Sequence, residues 1–93
     1  MTIIGEGQAV VTSGGTAVPL GSANTKCDYV MVSADSANTT TVYAGTASVS
    51  SSTPTGTPIP AGVTVGFPVG DLDDVYVSSE TTDDFVTYTY FQY

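Results

Sequence analysis

The residues of this chain best placed to do chemistry are aspartates in two short runs, Asp71-Leu72-Asp73-Asp74 and Asp83-Asp84. Carboxylates so close together serve glycosidic hydrolysis or the binding of a hard cation such as calcium. Hydrolysis needs a cleft, and a domain of this size has little volume to form one. For calcium, the 71–74 run lacks the length, the glycine and the distal bidentate glutamate of a helical calcium loop, so neighbouring subunits would have to complete the oxygen shell. Solvated turn aspartates ahead of a strand are the expected role, and no metal is expected. Lys26 is the single basic residue. Cross-linking to an Asn or Asp on the last strand is excluded, because residues 85–93 contain neither. A solvated lysine at a strand start is expected. Cys27, the only cysteine, lies in an apolar alternation and reads as a small buried hydrophobe rather than a reactive thiol. The chain has no histidine, which removes catalytic triads, most general bases and the Cys/His sets that zinc requires. Lys26 has no glycine-rich loop for phosphate. No enzymatic activity and no cofactor are expected.

The elements that must position these residues are strands. Cys27, Tyr29 and Met31 alternate with Asp28, Val30 and Val32, a period of two. Residues 39–44 are rich in threonine, valine and tyrosine, which suit a pleated surface. Residues 34–38 supply turn-forming side chains between them, so 27–45 reads as a central hairpin. A first hairpin is expected from residues 8–12 and 17–20 around Ser13-Gly14-Gly15-Thr16, with Pro19 marking an edge. Residues 50–57 read as an exposed hydroxyl-rich loop with no apolar face to bury. Residues 63–67 and 75–78 are further strands, and 80–84 closes a hairpin onto residues 85–93. In that last strand Val86, Tyr88 and Tyr90 share one face, and Phe85, Thr87, Thr89 and Phe91 the other. No stretch shows helical apolar spacing. The pattern predicts an all-β chain: a single small β-sandwich (jelly-roll or Ig-like) or compact β-barrel of about eight short antiparallel strands. Residues 8–93 form the domain and residues 1–7 an N-terminal arm.

Composition narrows the partners. Ninety-three residues suffice for one domain. Only 11% of residues are charged, against roughly 25% in an average soluble domain, so hydroxyls and amides must cover the surface. Nine acids against one base give a net charge of −8, which disfavours nucleic acid and anionic membranes. No apolar run reaches membrane-span length, and residues 1–7 have no basic n-region; synthesis in a cytoplasm is expected. Aromatics on both faces of the last strand exceed what one core layer can take. Ile3, Ile4, Tyr90, Phe91 and Tyr93 are therefore the candidate partner-interface residues, in a homo-oligomer.

The order AVVTSGGTAVPL, YVMVSA, NTTTVYAG, Pro60-Ala61-Gly62, VGDLDDVYV and a hydroxyl- and aromatic-rich end strand resembles small tailed-bacteriophage virion proteins, especially capsid decoration (cement) proteins. The resemblance covers most of residues 8–90. It implies a structural protein that binds the major capsid protein on the outer surface of a phage head, often as a homotrimer, and stabilises the shell against internal DNA pressure. It also implies a location in the virion after synthesis in the host cytoplasm. A second reading is a phage tail or fibre-tip module binding host-surface glycans through Tyr43, Tyr76 and Asp73.

Overall fold

Alternating side chains allow each strand to bury one face only, so eight short strands must close into two layers. The structure, a computed structural model, describes residues 1–21 and 25–93. Its strands are β1 (Thr2–Val10), β2 (Val18–Pro19), β3 (Tyr29–Ala34), β4 (Val42–Gly45), β5 (Thr57–Ile59), β6 (Thr64–Phe67), β7 (Tyr76–Ser78) and β8 (Phe85–Gln92), with one 3-10 turn at Leu72–Asp74. They form two antiparallel sheets, β1-β8-β3-β6 and β2-β7-β4-β5. This interleaved order of eight strands in two four-stranded sheets is that of a jelly-roll sandwich. The expected fold class holds.

The core lies between the sheets. Val30, Val32 and Ala34 of β3 and Val86 of β8 face Val42 and Ala44 of β4, Ile59 of β5 and Val77 of β7, all at 2% exposure or less. Each buried valine or isoleucine side chain contributes about 1.5–3 kcal/mol relative to exposure. Cys27 joins this cluster at 5% exposure, with its Sγ 3.5 Å from the Val69 carbonyl. Burial first, then the Asp71 and Asp28 charges, push its thiol up, so it is held as the inert thiol.

Seven of the eight strands overlap the positions expected from the sequence, β5 (Thr57–Ile59) being the one not expected, but the pairing differs. None of the three expected hairpins forms. β1 and β2, β3 and β4, and β7 and β8 each lie in different sheets, so the turns at 13–16, 34–38 and 80–84 are arches over the end of the sandwich. Among the described strands, six of the seven successive pairs lie in different sheets, and only β4 and β5 are both consecutive and paired. Turn-forming side chains reverse the chain equally well in an arch and in a hairpin, and alternation specifies a face, not a neighbour. Residues 1–7, expected as an arm ahead of the domain, begin β1, which pairs with β8 from Thr2↔Gln92 to Val10↔Phe85. Gly5 and Gly7 on this edge strand leave room for the Tyr90 and Tyr88 rings, which lie across it where side chains would otherwise stand.

The hydroxyl-rich connection is also not simply exposed. Val49 and Ser51 are each only 7% exposed. Val49 packs beside Gly45 and Gly56, and the Ser51 and Ser78 hydroxyls lie 3.2 Å apart in a hydrogen bond. Gly56 makes this fit possible: its φ is +89°, and a Cβ there would come within 2.5 Å of the Ala44 carbonyl oxygen. Gly56→Ala should therefore cost about 2–3 kcal/mol. Urea unfolding would read it, and a loss below half that amount would show that the connection is not held as described.

Candidate functional site

Charge is sorted by position in this fold. Eight of the nine acids lie outside the strands, leaving Glu6 of β1 as the exception. Asp28, Asp71, Asp73 and Asp74 sit at the end where β3 and β7 begin, and Asp35, Glu80, Asp83 and Asp84 at the end where β3 and β7 finish. The two ends are acidic, while the sheets between them are nearly uncharged.

The outward face of β1-β8-β3-β6 carries a single charged residue, Glu6 on its edge strand. Pairing sets its rows: Ile3, Phe91 and Tyr29 in one; Glu6, Thr89, Met31 and Gly66 in the next; Gln8, Thr87, Ser33 and Thr64 in the third. The Phe91 and Tyr29 rings stand 6.2 Å apart, tilted at 56°. The Ser33 and Thr64 hydroxyls are 2.6 Å apart. Between Ile3, Met31, Thr64, Thr87 and Phe91 runs a shallow groove of about 390 Å³. Met31 is 41% and Ile3 63% exposed at its rim.

The candidate interface residues separate in this arrangement. Ile3 and Phe91 share the outward face. Ile4 is the extra residue of a bulge between Ile3 and Gly5, and such bulges blunt an exposed edge. Tyr90 is on the other side: it points inward, packs against the core and lies over Gly5. It does not belong with Phe91, because one residue along a strand reverses the face. Tyr93 lies past β8, 82% exposed, with its backbone N–H donating to the Asp28 carboxylate at 2.9 Å. Met31, Tyr29, Thr87 and Thr89 belong to the face and were not singled out from the sequence. The alternation of β3 and β8 marks them, but only knowledge of the β3–β8 pairing brings them together.

At the end where β3 and β7 finish, a second concavity opens. This polar cleft of about 420 Å³ is lined by Asn38, Thr39, Thr41, Tyr43, Ser51 and Glu80. Its floor is fixed by hydrogen bonds. The Asn38 amide donates to the Phe85 carbonyl at 2.9 Å and accepts the Phe85 N–H at 3.0 Å. Asp84, 5% exposed, accepts from the Ser79 hydroxyl (2.8 Å), the Thr40 hydroxyl (2.9 Å), the Thr39 N–H (3.2 Å) and the Thr40 N–H (3.3 Å). Burial alone would raise this carboxyl, but these four donors outweigh it and hold it below the ordinary aspartate value.

At the opposite end Asp71 is engaged by its own neighbours. It accepts the Thr25 and Asp73 N–H groups at 3.2 Å each and pairs with Lys26 at 3.1 Å. Burial opposes ionisation, yet the Asp73 contacts and Lys26 bring Asp71 down to about 2. Asp73 is raised by its side-chain contact with Asp71, then by burial and by the Asp71 and Asp74 charges. Lys26, 74% exposed, makes an ion pair of the surface kind, worth little. Among the described residues, no three His, Cys, Asp or Glu side chains converge as a metal site. No described helix is long and apolar enough to cross a membrane. Tyr43 and Tyr76 both stand on the outward face of the second sheet, opposite Ser78 and Gly45. Asp73 is in the 3-10 turn at the other end from the cleft and shares no surface with Tyr43 there.

Compared with family models, with curated proteins and with solved structures, the chain matches none of them.

Proposed function

We propose that this protein is a structural decoration protein that binds the outer surface of a phage head, through the major capsid protein, and stabilises the shell. The observation that carries the reading is the outward face of β1-β8-β3-β6, where Glu6 is the one charged residue, on a chain whose other acids are gathered at its ends. Docking removes this face from water with one carboxylate to accommodate, Glu6, which the edge strand β1 holds at the rim. Hydroxyls of Ser33, Thr64, Thr87 and Thr89 surround the apolar Ile3, Met31 and Phe91. That mixture suits a partner that offers backbone groups and apolar side chains rather than cations.

A role in assembly asks for no reaction, in accord with a chain that carries no histidine. Repetition around a shell also multiplies weak single contacts into stable occupancy. The same reading has the protein act as a homotrimer, with the free edge of β1 at the subunit contacts. An acidic, arginine-free protein suits the outside of a shell, away from packaged DNA. Immunogold electron microscopy of phage particles from the source tests the assignment. Label distributed over the head is the expected result; label confined to a tail tip, or on no particle, overturns it.

A further inference from the structure

We infer that the polar cleft at the end where β3 and β7 finish is a binding site for a neutral saccharide. The inference does not rest on the shell-binding reading, since the cleft opens elsewhere than the outward face of β1-β8-β3-β6.

The cleft divides its side chains into two sets. Asn38, Thr39 and Thr40 are committed to the protein: their polar groups hold Phe85, Thr81 and Asp84. They make a floor that does not have to be ordered when a ligand arrives, which lowers the entropic cost of binding. Thr41, Tyr43 and Glu80 also line the cleft, and among the described residues their side chains make no hydrogen bond or ion pair. They offer a hydroxyl, a half-buried aromatic ring with a phenol, and an exposed carboxylate.

That set fits a sugar. The ring of Tyr43 offers a flat apolar surface for the C–H face of a pyranose, and the Glu80 carboxylate accepts from two adjacent hydroxyls of one ring. Thr41 both donates and accepts, as a ligand hydroxyl does. The position of Tyr43 follows from strand geometry: it stands outward on β4 because Val42 and Ala44 on either side are buried, and it sits opposite Ser78, to which Ser51 is hydrogen-bonded. The connection between β4 and β5, pinned by Val49 and Ser51, thus forms one wall of the cleft. Charge decides among ligand classes. Glu80 in a chain of net charge −8 repels anions such as phosphates and sialylated sugars. A divalent cation finds no three converging carboxylates among the described residues. An uncharged polyol needs neither.

The test is a two-dimensional 15N–1H NMR titration of the full chain with maltotriose, cellotriose and diacetylchitobiose in turn. At least one should give saturable shifts confined to residues 38–43, Ser51, Ala61 and Glu80, with a millimolar dissociation constant. Glu80→Gln, at an exposed position, should fold normally and weaken that constant roughly tenfold, the effect of losing a charged hydrogen-bond acceptor. Tyr43→Phe, which keeps the ring, should retain binding, whereas Tyr43→Ser should abolish saturation. No saturable shift with any of the three sugars overturns the inference. Shifts located elsewhere, or unaffected by both Glu80→Gln and Tyr43→Ser, overturn it equally.

Discussion

Asp84→Ala should destabilise the protein by about 3–4 kcal/mol, the largest effect expected of any single polar substitution here. The substitution leaves two backbone N–H groups and two hydroxyls, from Thr39, Thr40 and Ser79, without their acceptor at a position only 5% exposed. Domains of this size have about 5–15 kcal/mol in total, and each kcal/mol moves the midpoint about 4–8 °C, so Tm should fall by roughly 15–25 °C. Asp84→Asn, which retains one acceptor oxygen, should lose about half as much. The pH dependence has a definite sign. Asp84 has its folded pKa below the unfolded value, so its contribution is complete above the unfolded aspartate pKa of about 3.9. It is lost as pH falls through the lower folded value. Asp71, held down to about 2, acts in the same direction, whereas Asp73, raised, contributes at low pH and opposes them. Wild-type protein should therefore lose stability on acidification below about pH 4, with a shallower slope in Asp84→Asn. Thermal unfolding across that range measures both, and a Tm change of only a few degrees in Asp84→Ala would remove the network from the account of this fold.

The second large effect concerns docking. Met31→Glu places a carboxylate in the middle of the outward face, between Thr89 and Gly66. Met31 is 41% exposed, so the free protein should fold unchanged. In the proposed complex the new charge is buried without a partner, at a cost of about 3–5 kcal/mol, equivalent to a loss of roughly 100-fold to 1,000-fold or more in affinity for purified heads. Asp74→Lys reverses a charge at the acidic end, away from that face, and should change affinity little. Sedimentation of labelled protein with heads reads both constants. Unaltered binding by Met31→Glu, or a large loss in Asp74→Lys, would move the contact off the face.

The sequence disclosed each layer of this structure unequally. Period-two alternation in residues 85–91 separates Val86, Tyr88 and Tyr90 from Thr87, Thr89 and Phe91, and the structure keeps that division. The same alternation is silent on which strand lies alongside. Gly14-Gly15 was therefore legible as a turn, but whether β2 returns beside β1 or passes to the other sheet depends on side chains distant in the chain. The face around Met31 inherits that limit, because its rows join residues from β1, β8, β3 and β6. The cleft was hidden for a different reason. Thr39, Thr40 and Asp84 look like ordinary turn residues, and only their convergence leaves Tyr43, Thr41 and Glu80 lining one concavity.

The placement of β8 has a consequence for how the molecule is made. Among the described residues β1 has β8 as its only strand partner, and β8 also separates β1 from β3. During synthesis, residues 2–10 wait for the whole of residues 11–84 before the strand that completes them exists. At about 5–20 residues per second that delay is roughly 4–15 s. Throughout it Ile3 and Ile4 belong to an open strand with no partner. Translation speed thus sets how long this edge is available to other chains. Slowing the ribosome within residues 11–84 should divert product into aggregates, which a pelleting assay of newly made chain would read.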